Sequence, residues 1–439
     1  MPPVMNTQAL ATPANQRCTS SIVLSVKNPL KPMNRLASNA PITITLAAPL
    51  TAQPRGMVTP GITVLIRDSI HLIRGKRVGL ITNHTGRDAA GTSSIDLLAR
   101  APGVNLVALF GPEHGLRGVA EAGEHVASSV DSATGVPIFS LYGNTQVPTP
   151  AMLAKIDVLV YDIQDVGSRT YTYAWTMALS AAAAAKASVP FIVCDRPVMV
   201  RGDVVQGNIL DTAYRSFVGQ YPVPVRYGLT PGELLRYLAR TGQVQAPHVT
   251  VVPMQGWRRS MWYDATGLPW VAPSPNLKTL DAALLYTGTV FVEGTNLSEG
   301  RGTDAPFQLV GAPWLTDAGE IARVLNTLSL RGVQFDSVSR TVAKGQKHAG
   351  LTIPMLRATI TDRTVVDPVR TGVVLLAVIR SRHPRELVWR EEFLAKLAGG
   401  RALQRALDTS VAASDALLRR WRRDATLFQR ETMVDRLYR

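Results

Sequence analysis

"KRVGLITNHTG", residues 76 to 86, runs from an unbroken apolar stretch into a polar loop that opens with Asn83 and His84. Apolar residues that do not alternate with polar ones mark a strand buried on both faces. The helix-like "TSSIDLLARA" (92 to 101) follows, and then the figure returns. "VNLVALFGPEHG" (104 to 115), "VPIFSLYG" (136 to 143), "DVLVYDIQDVGSRTYTY" (157 to 173) and "VPFIVCDRP" (189 to 197) repeat it, with "AMLAKI" and an alanine-rich helix around 174 to 187 as spacers. Strands alternating with helices predict an α/β fold, a Rossmann-like parallel sheet doubly wound with helices on both faces.

Such sheets bind ligands in the crevice outside the carboxyl ends of their strands. Those ends here carry Asn83 and His84, then Glu113 and His114, then Asp162, Asp165 and Arg169, then Asp195 and Arg196. Any one of them is an ordinary turn or capping residue taken singly. Four strands delivering titratable groups to one rim point to a site.

Further along, "YGLTPGELLRYLAR" (227 to 240) places Thr230, Pro231 and Glu233 as a capping box at the start of an amphipathic helix, so Glu233 is assigned to capping. "GTVFVEGTNLSEGRGTDAPF" (288 to 307) reads as a short strand running into a long loop with Glu293, Asn296, Glu299, Arg301 and Asp304. Beyond it the pattern changes. A helix near 317 to 328, strands near 333 to 340 and 351 to 361, a helix near 369 to 382 and a helical tail predict a smaller α+β domain. The expected division is an N-terminal segment over 1–56, a Rossmann-like domain over 57–305 and the α+β domain over 306–439.

Composition narrows the class. With 439 residues, 46% hydrophobic and 18% charged, the chain is globular and large enough for well-formed cores. No apolar run reaches the roughly 20 residues a membrane-spanning helix needs, so stable membrane insertion is not expected. The formal net charge of +15 favours anionic partners. Much of it sits in "LLRRWRRD" (417 to 424), read as a solvated helix face. No RNP-like aromatic motif or zinc-finger spacing accompanies it, which argues against nucleic acid. Cys18 and Cys194 form no disulfide framework, and Cys194 within "FIVCD" reads as a small buried hydrophobe. The first sixty residues lack periodicity. From Met33 a single basic residue, a mildly apolar stretch and a small-residue point after Ala52 imitate a secretory signal, so an exported, periplasmic protein is expected, or a cytoplasmic one if that segment is no signal.

Standard signatures are missing. There is no G-x-G-x-x-G after the first strand and no phosphate-cradling G-x-x-x-x-G-K-[ST], so no nucleotide cofactor is expected. Neither H-E-x-x-H, C-x-x-C nor a G-x-S-x-G elbow occurs, and no metal is expected. What remains is a set of carboxylates with arginines and asparagines on glycine-rich loops. Hydrolysis of a glycosidic bond needs two carboxyl groups around the scissile oxygen, one of them protonated. Glu113, approached through Phe110 and Pro112, suits the acid. Its partner is Glu293, Glu299 or Asp165. His114 or Asp165 either orients Glu113 or satisfies loop amides. Arg117, Arg169 and Arg301 suit a substrate carboxylate, and the asparagines with Tyr171 suit the hydroxyls and amides of a sugar.

"GLITNHTG", "LFGPEHGLRG", "YDIQDVGSRTYTY", "CDRP", "YGLTPGEL", "SPNLKTLDAALLYTG" and "EGTNLSEGRGTDAPFQLVGAPWL" together closely resemble the exo-β-N-acetylmuramidase family of glycoside hydrolases, enzymes of peptidoglycan turnover. The likeness runs from about residue 62 to the closing "RRDATLFQRETMVDRLYR". It implies release of N-acetylmuramic acid from the non-reducing end of peptidoglycan fragments, in a cleft between a Rossmann-like domain and a smaller C-terminal one. It also implies Glu113 as the leading catalytic residue and the loops around Arg169 and Glu293 to Arg301 as sugar-binding walls. The chain departs from the family pattern at Val198 and Met199, at Tyr227, and at Lys278 and Thr287; the first two lie near candidate sugar contacts. Two other readings stand beside it: a non-catalytic muropeptide- or wall-binding protein using the same cleft, and a nicotinamide-dependent enzyme, which the missing glycine fingerprint disfavours.

Overall fold

The computed structural model describes residues 57–113, 116, 129–143 and 145–439. His114, Arg117, Cys18 and the signal-like segment from Met33 to Ala52 lie outside the described residues. Ten strands occur among the described residues: β1 Arg77–Thr82, β2 Asn105–Gly111, β3 Ser129–Val130, β4 Pro137–Ser140, β5 Val158–Asp162, β6 Phe191–Cys194, β7 Val249–Val252, β8 Leu309–Gly311, β9 Val333–Thr341 and β10 Thr352–Ile360. The first seven form one sheet in the order β3-β4-β2-β1-β5-β6-β7, all parallel except the edge strand β3, which pairs antiparallel with β4.

Helices cover this sheet on both faces, which is why its central strands carry near-continuous apolar runs such as residues 78–81 and 158–161. On one face α1 (Gly61–Asp68) and α2 (Ser94–Arg100) pack Ile62, Leu65, Ile95 and Leu98 against Val78, Leu80, Val158 and Val160. On the other, α3 (Pro150–Leu153), α4 (Tyr173–Lys186) and α5 (Pro231–Arg240) pack against Phe110, Leu159, Tyr161 and Val193. The capping box of α5 forms as the spacing predicts, with Glu233 N donating to Thr230 Oγ1 at 3.2 Å and Thr230 N to Glu233 Oε2 at 3.0 Å. The chain steps from β1 outward to β2 and β4, then returns to place β5 on the other side of β1. The switch point is therefore between β1 and β5.

The remaining strands make an antiparallel sheet, β8-β10-β9, with α7 (Ala318–Thr327) packed against it. Beside them α6 (Leu280–Thr289) crosses α8 (Pro368–Arg382) at a glycine contact. A Cβ on Gly288 would stand 1.7 Å from the Pro368 carbonyl oxygen, and one on Gly372 would stand 2.2 Å from that of Gly288. The expected strand at the start of 288–307 does not form. Helix α6 runs through it and tightens into a 3₁₀ turn, Val290–Gly294. Its β-branched residues stay helical because α6 is held on α8 at that glycine contact, and Thr287 and Thr289 turn their hydroxyls back on the helix, donating to the carbonyls of Leu284 (2.8 Å) and Leu285 (3.0 Å).

The chain closes with α9 (Glu391–Ala398), α10 (Ala402–Thr409) and α11 (Val411–Glu431). Leu418, Trp421, Ala425 and Phe428 of α11 face inward while Arg419, Arg420, Arg422 and Arg423 are exposed, the basic face its sequence suggests. The tail then returns to the first sheet. Tyr438 donates its hydroxyl to Asp195 Oδ2 (2.6 Å), Leu437 N donates to Glu233 Oε1 (2.8 Å), and Asp435 pairs with Arg240 (2.8 Å).

Candidate active site

The crevice at the β1/β5 switch point is filled by the protein itself. Asp162 there receives Arg196 through Nε at 2.6 Å and Nη2 at 2.7 Å, and the Ser94 hydroxyl caps the same carboxylate. Both ionic groups are buried, Arg196 at 2% exposure and Asp162 at 0%. Asn83 folds back on its own turn, accepting from Thr85 N (2.9 Å) and Thr85 Oγ1 (2.6 Å), and His84 Nε2 lies 2.7 Å from the Ala272 carbonyl. The open space is displaced to one side. Loops leaving β2, β4 and β5 meet α6, the 3₁₀ turn after it and α9 around a cleft of about 460 Å³.

Glu113 stands in this cleft, half-buried, where the chain turns out of β2. Thr172 donates its hydroxyl to Glu113 Oε2 at 2.6 Å, which fixes one carboxyl oxygen, while Oε1 accepts from no described residue. Thr172 belongs to "QDVGSRTYTY", a loop buried along its whole length, and the loop's polar residues explain how it is held. Asp165 Oδ1 accepts from Gly167 N (2.7 Å) and the Tyr227 hydroxyl (2.8 Å), and burial pushes its carboxyl up to about 6. Gly167 sits at φ +92°, with Val198 Cγ1 only 2.6 Å from where a Cβ would be. The Arg169 guanidinium, wholly buried, donates to the carbonyls of Asn208 (2.6 Å), Val223 (3.0 Å) and Leu397 (3.2 Å). These buried bonds lock the segment that sets Thr170, Tyr171 and Thr172 into the cleft wall.

The opposite wall carries an alternating row of charges. Arg301 reaches Glu293 through Nη2 and Glu299 through Nε, both at 3.1 Å, and Lys347 Nζ closes the row on Glu299 at 3.0 Å. Glu293 and Arg301 line the cleft, while Glu299 lies one layer behind, 4% exposed. Burial raises the Glu293 carboxyl above its ordinary range, Arg301 pulls it down, and the Glu299 charge adds to the rise. Arg301 also lies 5.0 Å over the Phe307 ring, which packs edge-on against Tyr286 at 4.8 Å; Tyr286 meets Tyr171 the same way at 5.9 Å. The floor is thus a chain of aromatic rings, and the Tyr171 hydroxyl has no partner among the described residues.

The sequence-derived candidates divide accordingly. The structure brings Glu113, Tyr171, Glu293 and Arg301 together on one cleft. It does not bring Asp162, Asp165, Arg169 or Asp195 to it; each is buried with protein partners. Asp195 accepts from Thr230 Oγ1 (2.7 Å), Gly232 N (2.8 Å) and Tyr438, and burial with Glu233 nearby pushes it up to about 7. Asn83, His84 and Glu299 likewise lie off the lining, and the Asn296 side chain ties its loop to Glu386 O and Val388 N. Of the three carboxylates considered as partner to Glu113, Glu293 alone lines the cleft. His114 and Arg117 fall outside the described residues. Among the described residues, no group of three or more His, Cys, Asp or Glu is arranged to hold a metal.

Residues 78–281 match the family described as exo-β-N-acetylmuramidase NamZ, N-terminal, and residues 284–438 match its C-terminal counterpart. The chain belongs to the NamZ family. The peptidoglycan β-N-acetylmuramidase NamZ of Bacillus subtilis strain 168 is 42% identical over 365 residues, 82% of this chain and 86% of that protein. Two crystal structures of DUF1343 family proteins from Bacteroides fragilis share the architecture. One has a TM-score of 0.81 at 35% identity, covering 88% of this chain and 100% of its own; the other has 0.68 at 29%, covering 87% and 99%.

Within this NamZ scaffold, all but one of the departures noted from the family pattern are interior positions. Val198 and Met199 are buried, Tyr227 serves Asp165, and Thr287 bonds its own helix. Lys278 is exposed. Lining residues that the sequence reading missed include Thr172, Tyr142, Phe217 and Tyr286. Tyr142 follows β4 as Glu113 follows β2, so the strand-end rule alone reaches it; its ring meets Phe217 at 5.8 Å. Phe217 and Tyr286 come from a long connection and a helix, where no local signal points to a cleft.

Proposed function

We propose that this chain releases N-acetylmuramic acid from the non-reducing end of peptidoglycan fragments, with Glu113 protonating the leaving oxygen. The observation that carries the role of Glu113 is its hydrogen bond from Thr172 on the lining of a cleft large enough for a sugar, which holds one carboxyl oxygen while the other accepts from no described residue. An acid held in a single orientation needs no reorganisation as the bond breaks. Glu293 is the second carboxylate on the lining and the one suited to guide water or support the developing positive charge on the sugar. Arg301 engages the glutamates through Nη2 and Nε, leaving Nη1 for the lactyl carboxylate that distinguishes muramic acid from glucosamine. The half-buried rings of Tyr142 and Phe217 on the lining supply apolar faces of the kind sugar rings stack upon.

The test is Glu113→Gln assayed on a chromogenic muramide. Removal of a general acid lowers kcat by about 100- to 10,000-fold, and the folded variant keeps its affinity for N-acetylmuramic acid in calorimetry. Wild-type turnover by that variant refutes the assignment. Arg301→Ala weakens a muramide more than the matching glucosaminide; equal loss on both removes Arg301 from lactyl recognition.

A further inference from the structure

A second cavity, of about 370 Å³, shares no residue with the cleft. Six arginines line it: Arg201, Arg226, Arg331, Arg363, Arg370 and Arg422. They arrive from separate segments, namely the loops before α5, the turns flanking the β9–β10 hairpin, and helices α8 and α11. Asp367 is the sole acid on the lining, and it is occupied as the cap of α8, accepting from Arg370 N at 3.0 Å.

Three of the arginines have carboxylate partners. Arg201 pairs with Asp203, Arg363 with Asp264 and Asp281, and Arg370 with Asp415. Arg226, Arg331 and Arg422 have none within ion-pair distance among the described residues. Arg331 and Arg422 are exposed at the mouth, whereas Arg226 is 2% exposed. Arg226 donates to Gln206 Oε1 (3.0 Å) and to the Val200 carbonyl, and its Nε has no partner. Burying a guanidinium without a direct ion pair is unfavourable; Asp367 and Asp203 offset this only at longer range, and burial pushes Arg226 down to about 9. An anion brought to the cavity restores what burial removed.

Arginine forks match the oxygens of carboxylates and phosphates. A planar carboxylate offers its lone pairs in one plane, to one or two forks. A tetrahedral phosphate offers oxygens in several directions and a larger charge, which suits three unpaired guanidiniums on three segments. We propose that this cavity binds a phosphate-bearing ligand, at a site separate from the glycosidase cleft. Its volume exceeds that of the ion alone, so the ligand is a phosphate ester, either a small molecule or one unit of a phosphodiester polymer.

The experiment is calorimetric titration of the full chain with inorganic phosphate, glycerol phosphate and a poly(glycerol phosphate) oligomer, with acetate at equal ionic strength as the carboxylate control. Saturable binding of phosphate and glycerol phosphate is expected, weakened at least about tenfold in the double variant Arg331→Glu, Arg422→Glu. That variant changes exposed side chains only, and its muramide hydrolysis stays at the wild-type rate. Arg226→Gln, checked for folding by circular dichroism, loses binding as well. A gain in affinity per phosphate for the oligomer assigns the site to a polymer, and equal affinity assigns it to a small ester; both uphold it. Phosphate binding no stronger than acetate, or undiminished in the double variant, overturns the proposal.

Discussion

Replacing Thr172 by Val isolates the contact on which the orientation of Glu113 depends. The 2.6 Å bond from Thr172 Oγ1 is the hydrogen bond that the Glu113 carboxyl receives from a described residue. A hydrogen bond to a charged group contributes about 1.5–3 kcal/mol. Glu113 is half-buried, so water partly replaces the lost donor and the net effect falls to about 1–2 kcal/mol, equivalent to about a 5- to 30-fold loss in rate. Valine keeps the shape of threonine. The Thr172 side chain caps nothing, and its carbonyl still accepts from Trp175 N (3.1 Å) and Thr176 N (3.0 Å), so the melting temperature holds. Steady-state kinetics on a chromogenic muramide should show the loss in kcat with KM little changed, and Thr172→Ser should recover most of the rate. A Val variant with unaltered kcat refutes the positioning role, and one with a raised KM and normal kcat shows that Thr172 binds sugar instead.

Asp162→Asn leaves the buried Arg196 guanidinium without its counter-charge. Breaking such a pair costs about 3–5 kcal/mol, and because Asn still accepts one of the two bonds the lower end is expected; an unchanged urea midpoint contradicts this. Asp195 links stability to pH. Its folded carboxyl titrates at about 7, whereas the unfolded chain ionises it near about 4. Between those values the native state holds the extra proton, so this group's contribution is fully present below about pH 4 and is lost as pH rises through about 7. Melting temperatures measured across that window should fall less steeply for Asp195→Asn than for the wild type, and parallel curves rule the linkage out.

The elements that could be read from sequence are those built on local pattern. Strands β1, β2, β5 and β6 announce themselves because burial on both faces demands unbroken apolar runs, and the start of α5 does so because Thr230, Pro231 and Glu233 meet the needs of a helix end within four positions. The exposed two-residue β3 gives no such signal. The short strands β7 and β8 carry too few residues to stand out. The strand expected in "GTVFVEG" failed because β-branched composition was outweighed by packing, with α6 drawn onto α8 through Gly288 and Gly372. Glu113 was legible for the same reason as the sheet: it lies where a buried strand ends, and a strand end is a local feature.

Which polar side chains face the cleft and which face the core was decided only in three dimensions. Asp195, Arg169 and Glu113 all leave their strands at the same rim of the sheet. Asp195 is claimed by Tyr438, 243 residues away, and Arg169 by the Leu397 carbonyl, 228 residues away. Glu113 meets Thr172 on the neighbouring loop, and its second oxygen accepts from no described residue. The sequence by itself determined the parallel sheet, its rim of charged groups and the kinship of the chain. The tertiary structure decided which of those groups remain available, because a charged side chain at a strand end is either solvated or satisfied by whatever segment packs over it, and that segment is remote in sequence.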